Sequence, residues 1–133
     1  MRHNRGVRIK ILTPNDNIDK SFVRMASHTL WGELLEAGIE MYEYQPVMYH
    51  AKLMIVDGYF VTMGSTNLDN QSFRLNDEVN VSILDEDFAR QMTEWYEMDL
   101  TNSERITMEA WEQRSFFRKA HGWVIAKVMG LYL

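Results

Sequence analysis

Apolar and basic residues alternate from Val7 to Leu12, with Val7, Ile9 and Ile11 set against Arg8 and Lys10. That period of two predicts a half-buried strand. Thr13-Pro14-Asn15-Asp16-Asn17 is turn chemistry. From about Asp19 to Ala37 the period lengthens: Phe22, Met25, Ala26, Leu30 and Leu34 fall on one helical face, and Gly38 supplies a stop. Ile39, Met41, Tyr42 and Tyr44 predict another strand, ended by Pro46. Two further strand-like runs, His50–Val56 and Tyr59–Met63, are joined by Asp57-Gly58. Val79, Val81 and Ile83 then alternate with polar Asn80 and Ser82. A helix follows from about Glu86, with Phe88, Met92, Trp95 and Tyr96 at helical spacing. After Thr101-Asn102-Ser103 the tail again reads as helical. The order β-α-β-β-β-α predicts an α/β fold.

A chain of 133 residues with 46% hydrophobic content suffices for one compact core. It contains no cysteine, which removes disulfides and thiolate metal sites. The net charge of −5 disfavours a protein built to grip nucleic acid non-specifically. That total conceals an uneven spread. Met1–Leu30 holds six basic and two acidic residues, Asp85–Glu112 nine acidic and two basic, and Gln113–Leu133 four basic and no acidic. No stretch approaches the ~18 apolar residues of a membrane span. Met1-Arg-His-Asn-Arg runs straight into the first strand with no apolar signal region. Either the chain is cytosolic or its targeting segments lie elsewhere.

The chemistry gathers between His50 and Asn67. His50 and Lys52 are two apart on a predicted strand, so both side chains leave one face. Asp57-Gly58 is a preferred two-residue hairpin turn. With that turn, paired residues sum to 115, which sets Ser65 opposite His50 and Asn67 two further along on the same face. Imidazole serves as nucleophile or general acid near neutral pH. Lysine adds positive charge, and serine and asparagine add hydrogen-bond donors. The set suits a phosphodiester, whose oxygens gain charge during attack. It needs no cofactor, and no metal-ligand cluster is visible.

His50-x-Lys52, Asp57 and Gly64-Ser65-x-Asn67 resemble the HxKx4Dx6GSxN signature of the phospholipase D superfamily. Leu68-Asp69, Ser72-Phe73-Arg74-Leu75-Asn76 and Glu78 continue it, most nearly like the second catalytic motif of bacterial cardiolipin synthases. Gln71 stands where that family usually has Arg, which weakens a local salt bridge but removes no catalytic group. The resemblance covers about Gly6 to Asp99. It implies a phospholipase D-like mixed sheet flanked by helices, one half of a two-half enzyme. Residues 1–100 would be the catalytic half and 101–133 a basic, aromatic tail. It also implies roles. His50 would be the phosphohistidine nucleophile or the leaving-group acid; Lys52, Ser65 and Asn67 would hold the phosphate. Glu78 would orient His50 by accepting its hydrogen bond. Asp57, the signature's acid, is read as mainly structural.

The implied reaction moves a phosphatidyl group from a phosphatidylglycerol-like phospholipid to an alcohol. The competing readings are a phospholipase D-type hydrolase, a homodimeric nuclease of the same superfamily, and an inactive half-domain that serves assembly or membrane contact. One HxK motif cannot both attack phosphorus and protonate the leaving group. The chain is therefore expected to need a missing N-terminal half or a second copy of itself. By resemblance it would work at the cytoplasmic face of a bacterial inner membrane. The tail mixes Trp111, Phe116, Phe117 and Trp123 with Arg114, Arg118, Lys119 and Lys127, so it can lie on an anionic bilayer or pack on protein. His3, His28 and His121 lack a lysine partner and read as surface or packing residues, and the ten methionines as core filling.

Overall fold

The computed structural model describes residues 6–15, 31–67 and 77–114. In chain order they form β1 (Lys10–Pro14), helical residues 31–36 (α1), β2 (Glu40–Tyr44), β3 (Leu53–Val56), β4 (Phe60–Gly64), β5 (Asn80–Leu84), α2 (Glu86–Thr101), β6 (Ser103–Ile106) and α3 (Met108–Glu112). They divide into two compact units. One contains the described residues up to Tyr49 and those from Asn102 onward; the other is His50–Thr101.

The first unit holds a three-stranded sheet of order β1-β2-β6. β1 pairs with β2 in parallel, and β2 with β6 antiparallel. β2 is the central strand, and its alternation buries Met41 and Glu43. α1 ends where Gly38 takes a φ of 77°. Gly38 N–H bonds the Leu35 carbonyl at 2.9 Å and Ile39 N–H bonds Leu34 at 3.0 Å. These two bonds close the helix with the left-handed glycine that the expected stop requires. β1 sits three residues later than the alternation alone suggests. Its parallel pairing with Glu40–Tyr44 sets the bounds, and Pro14, which lacks an N–H, is tolerated at the end of this edge strand.

β6 corrects the expectation of helix directly after Ser103. Residues 103–106 pair with β2 instead, setting Arg105 opposite Tyr42 and Ser103 opposite Tyr44. Four residues are too short a run for periodicity to reveal. The start of the tail is also engaged within the chain. A Cβ on Gly32 would meet the Trp111 indole at 2.6 Å, so the ring lies flush on α1. Arg114 stacks over that ring at 4.2 Å and donates from Nε to the Trp111 carbonyl at 2.8 Å. The remaining aromatic and basic tail positions lie outside the described residues, as does most of the helix expected from Asp19.

The second unit packs α2 on one face of the sheet β3-β4-β5. Val61 and Ala89 are fully buried and Met92 is 8% exposed; Leu53, Ile55, Met63 and Phe88 close around them. Each large side chain so buried contributes about 1.5–3 kcal/mol. Asp85 caps α2, its Oδ1 accepting Phe88 N–H at 2.7 Å. Glu86 and Asp87 follow in the first turn, where the helix dipole favours acids. Trp95, expected on the apolar face, is 62% exposed. The buried stripe runs through Ala89 and Met92 and turns that position outward.

Candidate active site

The hairpin register differs from the expected one. Asp57 and Gly58 do form the turn, with φ of 52° and 64°, closed by Tyr59 N–H to the Val56 carbonyl at 3.1 Å. Tyr59 is then one residue in excess, and Val56 faces Phe60. Pairs therefore sum to 116, not 115, and Leu53 faces Met63. Ser65 does not stand opposite His50. The cause lies in the faces. A sum of 115 would have set Lys52 on the same side as Val61, against α2. The observed register places Leu53, Ile55, Val61 and Met63 on that side and keeps Lys52 off it. Burial pattern outweighs turn preference in choosing register.

β3 begins only at Leu53, so His50 and Lys52 precede the strand. Gly64 closes β4 and Ser65–Asn67 follow it; Glu78 and Val79 precede β5. All five candidate polar residues thus sit at one end of a single sheet, because antiparallel neighbours bring two strand starts beside one strand end. Asp57 lies at the opposite end, roughly 13 Å away over four strand residues.

At the site end, Lys52 Nζ stands 2.9 Å from His50 Nδ1, 2.9 Å from Nε2 and 3.0 Å from the His50 carbonyl. The ammonium donates to whichever ring nitrogen is unprotonated. Gly64 N–H bonds the Lys52 carbonyl at 3.2 Å, which ties the His-x-Lys segment to the end of β4. Ser65 is fastened to Val79: its N–H donates to the Val79 carbonyl at 3.0 Å, and its Oγ accepts Val79 N–H at 3.0 Å. Its hydroxyl proton has only a 3.5 Å contact with that same carbonyl. The oxygen is committed, while the O–H is free to turn to a stronger acceptor.

Glu78, half-buried, immediately precedes the Val79 that Ser65 grips. Among the described residues no hydrogen bond joins it to His50, whose ring nitrogens both face Lys52. His50, Ser65 and Asn67 are exposed, and Lys52 is partly so. Gly64 is required by close packing. A Cβ there would meet Asn80 Oδ1 and the Val79 carbonyl, and Asn80 Cα at 2.7 Å. Asn80, read from the sequence only as a polar position of an alternating strand, accepts Thr66 N–H on Oδ1 at 3.3 Å. Its place opposite Gly64 was the available signal, hidden until the β4–β5 register was known. An imidazole, an ammonium, a hydroxyl and carboxamides at one open sheet end can bind an anionic tetrahedral group and exchange a proton with it.

Comparison with known proteins places this arrangement. Residues 2–100 match the family model described as cardiolipin synthase, PLD-like domain. The chain is 38% identical over 119 residues to the minor cardiolipin synthase ClsB of Bacillus subtilis, covering 90% of this chain and 30% of that protein. It is 39% identical over 110 residues to a cardiolipin synthase of Oceanobacillus iheyensis, covering 83% and 23%. It therefore spans less than a third of these relatives' length. Among solved structures, Nuc of Salmonella typhimurium, a phospholipase D family member, superposes with a TM-score of 0.65 at 23% identity, over 78% of this chain and 67% of that one. Phosphatidylserine synthase of Haemophilus influenzae superposes with a TM-score of 0.69 at 15% identity, over 98% and 35%. These two share the fold, a mixed α/β phospholipase D-like arrangement, as the signature implied. With the family model matching most of its length, the chain belongs to the cardiolipin synthase PLD-like domain family.

Proposed function

We propose that this chain supplies one catalytic half of a phosphatidyltransferase that acts on phospholipid phosphodiesters. The observation that carries this reading is the His50–Lys52 contact beside the Ser65 hydroxyl at one sheet end. An imidazole nitrogen attacks phosphorus, a P–N bond forms, and the first alcohol leaves with a proton from an opposing acid. A second alcohol then attacks, giving its proton to that opposing group, now a base; the P–N bond breaks and the phosphatidyl group is transferred. Lys52, Ser65 and Asn67 hold the phosphate oxygens as charge builds on them. Glu78 orients the imidazole once substrate has drawn Lys52 from the ring. Asp57 shapes the turn.

Attack and leaving-group protonation take opposite sides of phosphorus, and one imidazole occupies one side. The second histidine belongs to another half of a longer protein or to a second copy of this chain. On this reading residues 1–100 form the catalytic half, and 101–133 a tail at a membrane surface, on the cytoplasmic side of an inner membrane. Among the described residues no helix is long and apolar enough to cross a membrane. The donor lipid is phosphatidylglycerol-like.

The test is turnover of phosphatidylglycerol vesicles by an active assembly containing this chain, with His50 intact or as His50→Ala. The variant is expected below about a hundredth of the parent rate. A rate above about a tenth of the parent's would sink the assignment.

A further inference from the structure

Asn80 opens β5 directly opposite Gly64. On the other side of Gly64 lies Lys52, whose carbonyl takes the Gly64 N–H. Lys52, Gly64 and Asn80 are therefore one row across three strands, and directly paired residues project from the same face. Gly64 sends nothing out. The Asn80 carboxamide fills the room instead, because a Cβ on Gly64 would meet Asn80 Oδ1. The side chain thus leans across the glycine toward the Lys52 strand, about 5 Å from it.

The two ends of that carboxamide are used differently. Oδ1 accepts Thr66 N–H at 3.3 Å. Nδ2 takes no partner among the described residues, and the residue is exposed. A carboxamide pinned by its oxygen holds its two N–H donors in a fixed direction. Donors held on the face from which Lys52 also projects, over a glycine that leaves space, form a binding element for an oxyanion.

We propose that Asn80 is a further ligand of the substrate phosphate, donating from Nδ2 on the face that Lys52 shares. The proposal rests on the phosphodiester reading of this site. Gly64 then has two uses: it lets β5 approach, and it clears the space through which Asn80 reaches the phosphate. The Thr66 bond gives the same side chain a hold on the segment that carries Ser65 and Asn67.

Asn80→Asp separates the two ends, since a carboxylate keeps the acceptor for Thr66 and removes the donors. The experiment titrates inorganic phosphate into the full chain, followed by amide resonances, with hydrogen exchange of the Thr66 amide read in parallel. Asn80→Asp is expected to weaken phosphate binding at least about tenfold while the Thr66 amide stays protected. Ser82→Asp puts the same charge two residues along the same face and measures the purely electrostatic part; it is expected to weaken binding much less. Equal losses in the two variants overturn the proposal, as does unchanged binding in Asn80→Asp. Loss of Thr66 protection in Asn80→Asp also overturns it and leaves Asn80 with a structural role. Lys52→Met separates this failure from that of the wider reading. If Lys52→Met loses phosphate and Asn80→Asp does not, only the Asn80 assignment falls. If the parent chain takes up no phosphate, or Lys52→Met binds it as well as the parent, both fall.

Discussion

Lys52 Nζ stands within 2.9 Å of both ring nitrogens of His50, so the groups expected to share a phosphate here hold each other. A phosphate oxygen is the stronger partner for an ammonium, because the bond joins opposite charges. On the proposed mechanism, substrate draws Lys52 off the ring and frees a nitrogen for attack. Lys52→Met is expected to lower kcat by about 10²–10³ with little change in thermal midpoint, since the side chain is partly exposed. A loss confined to KM would instead make Lys52 a binding group without a role in the transition state.

Glu78→Gln is expected to lower turnover at neutral pH by about tenfold or more and leave the fold intact. Glutamine keeps the shape but not the charge that, on the proposed role, fixes the imidazole tautomer. Circular dichroism beside a rate measurement separates the two effects. Unchanged turnover would remove Glu78 from the site.

Two glycines of the hairpin should fail differently. Gly64→Ala forces a Cβ onto the Val79 carbonyl and Asn80, which are backbone or tethered and yield little. It is expected to lose about 1–3 kcal/mol and most activity together. Gly58→Ala meets no atoms but sits at a φ of 64°. It is expected to lose about 1 kcal/mol from the turn and leave the rate of the folded fraction unchanged. Urea unfolding and activity per folded molecule check both.

The Trp111–Gly32 packing can be measured as a coupling. Trp111→Ala should destabilise by about 2 kcal/mol, less than the ~3–5 of a fully buried tryptophan. Gly32→Ala, which crowds the indole, should be harmful with Trp111 present and nearly neutral without it. Additive effects in the double-mutant cycle would mean that the ring does not rest on α1 in solution.

Burial, and then the hydrogen bond and charge of Glu40, hold the Tyr42 phenol above its ordinary value of 10.0. Tyr42 donates to Glu40 Oε2 at 2.9 Å. The folded chain keeps this proton more tightly than the unfolded chain. The associated stability is complete below pH 10 and is lost as pH rises through the folded value. Unfolding midpoints should decline above about pH 10, and Tyr42→Phe should flatten that decline.

Much of the candidate site was legible in the sequence because its residues are close along the chain. His50, Lys52 and the Gly64-Ser65-x-Asn67 segment lie within eighteen positions and flank one turn. The start of α2 was legible from Asp85-Glu86-Asp87, since capping is local chemistry. What escaped depended on partners. Tyr59 became an extra turn residue only because α2 covers the Val61 side of the sheet. Ser103–Ile106 became a strand only because β2 offered an edge. Trp95 has the same spacing as the buried residues of α2, and spacing does not say where the covering sheet ends. Asn80 needed the β4–β5 register, which joins residues sixteen apart.

The hairpin turn lies at the far end of the same two strands, four strand residues or roughly 13 Å from where the site end begins. One short element therefore has a turn that bears on stability alone and, at its other end, the candidate chemistry. Substitutions at Asp57, Gly58 or Tyr59 are expected to change how firmly the strands hold, while those at Lys52 or Ser65 are expected to change what they do. Evolution or an engineer can tune durability at one tip and turnover at the other, and a reporter group inserted at Tyr59 would register folding without touching a reacting atom.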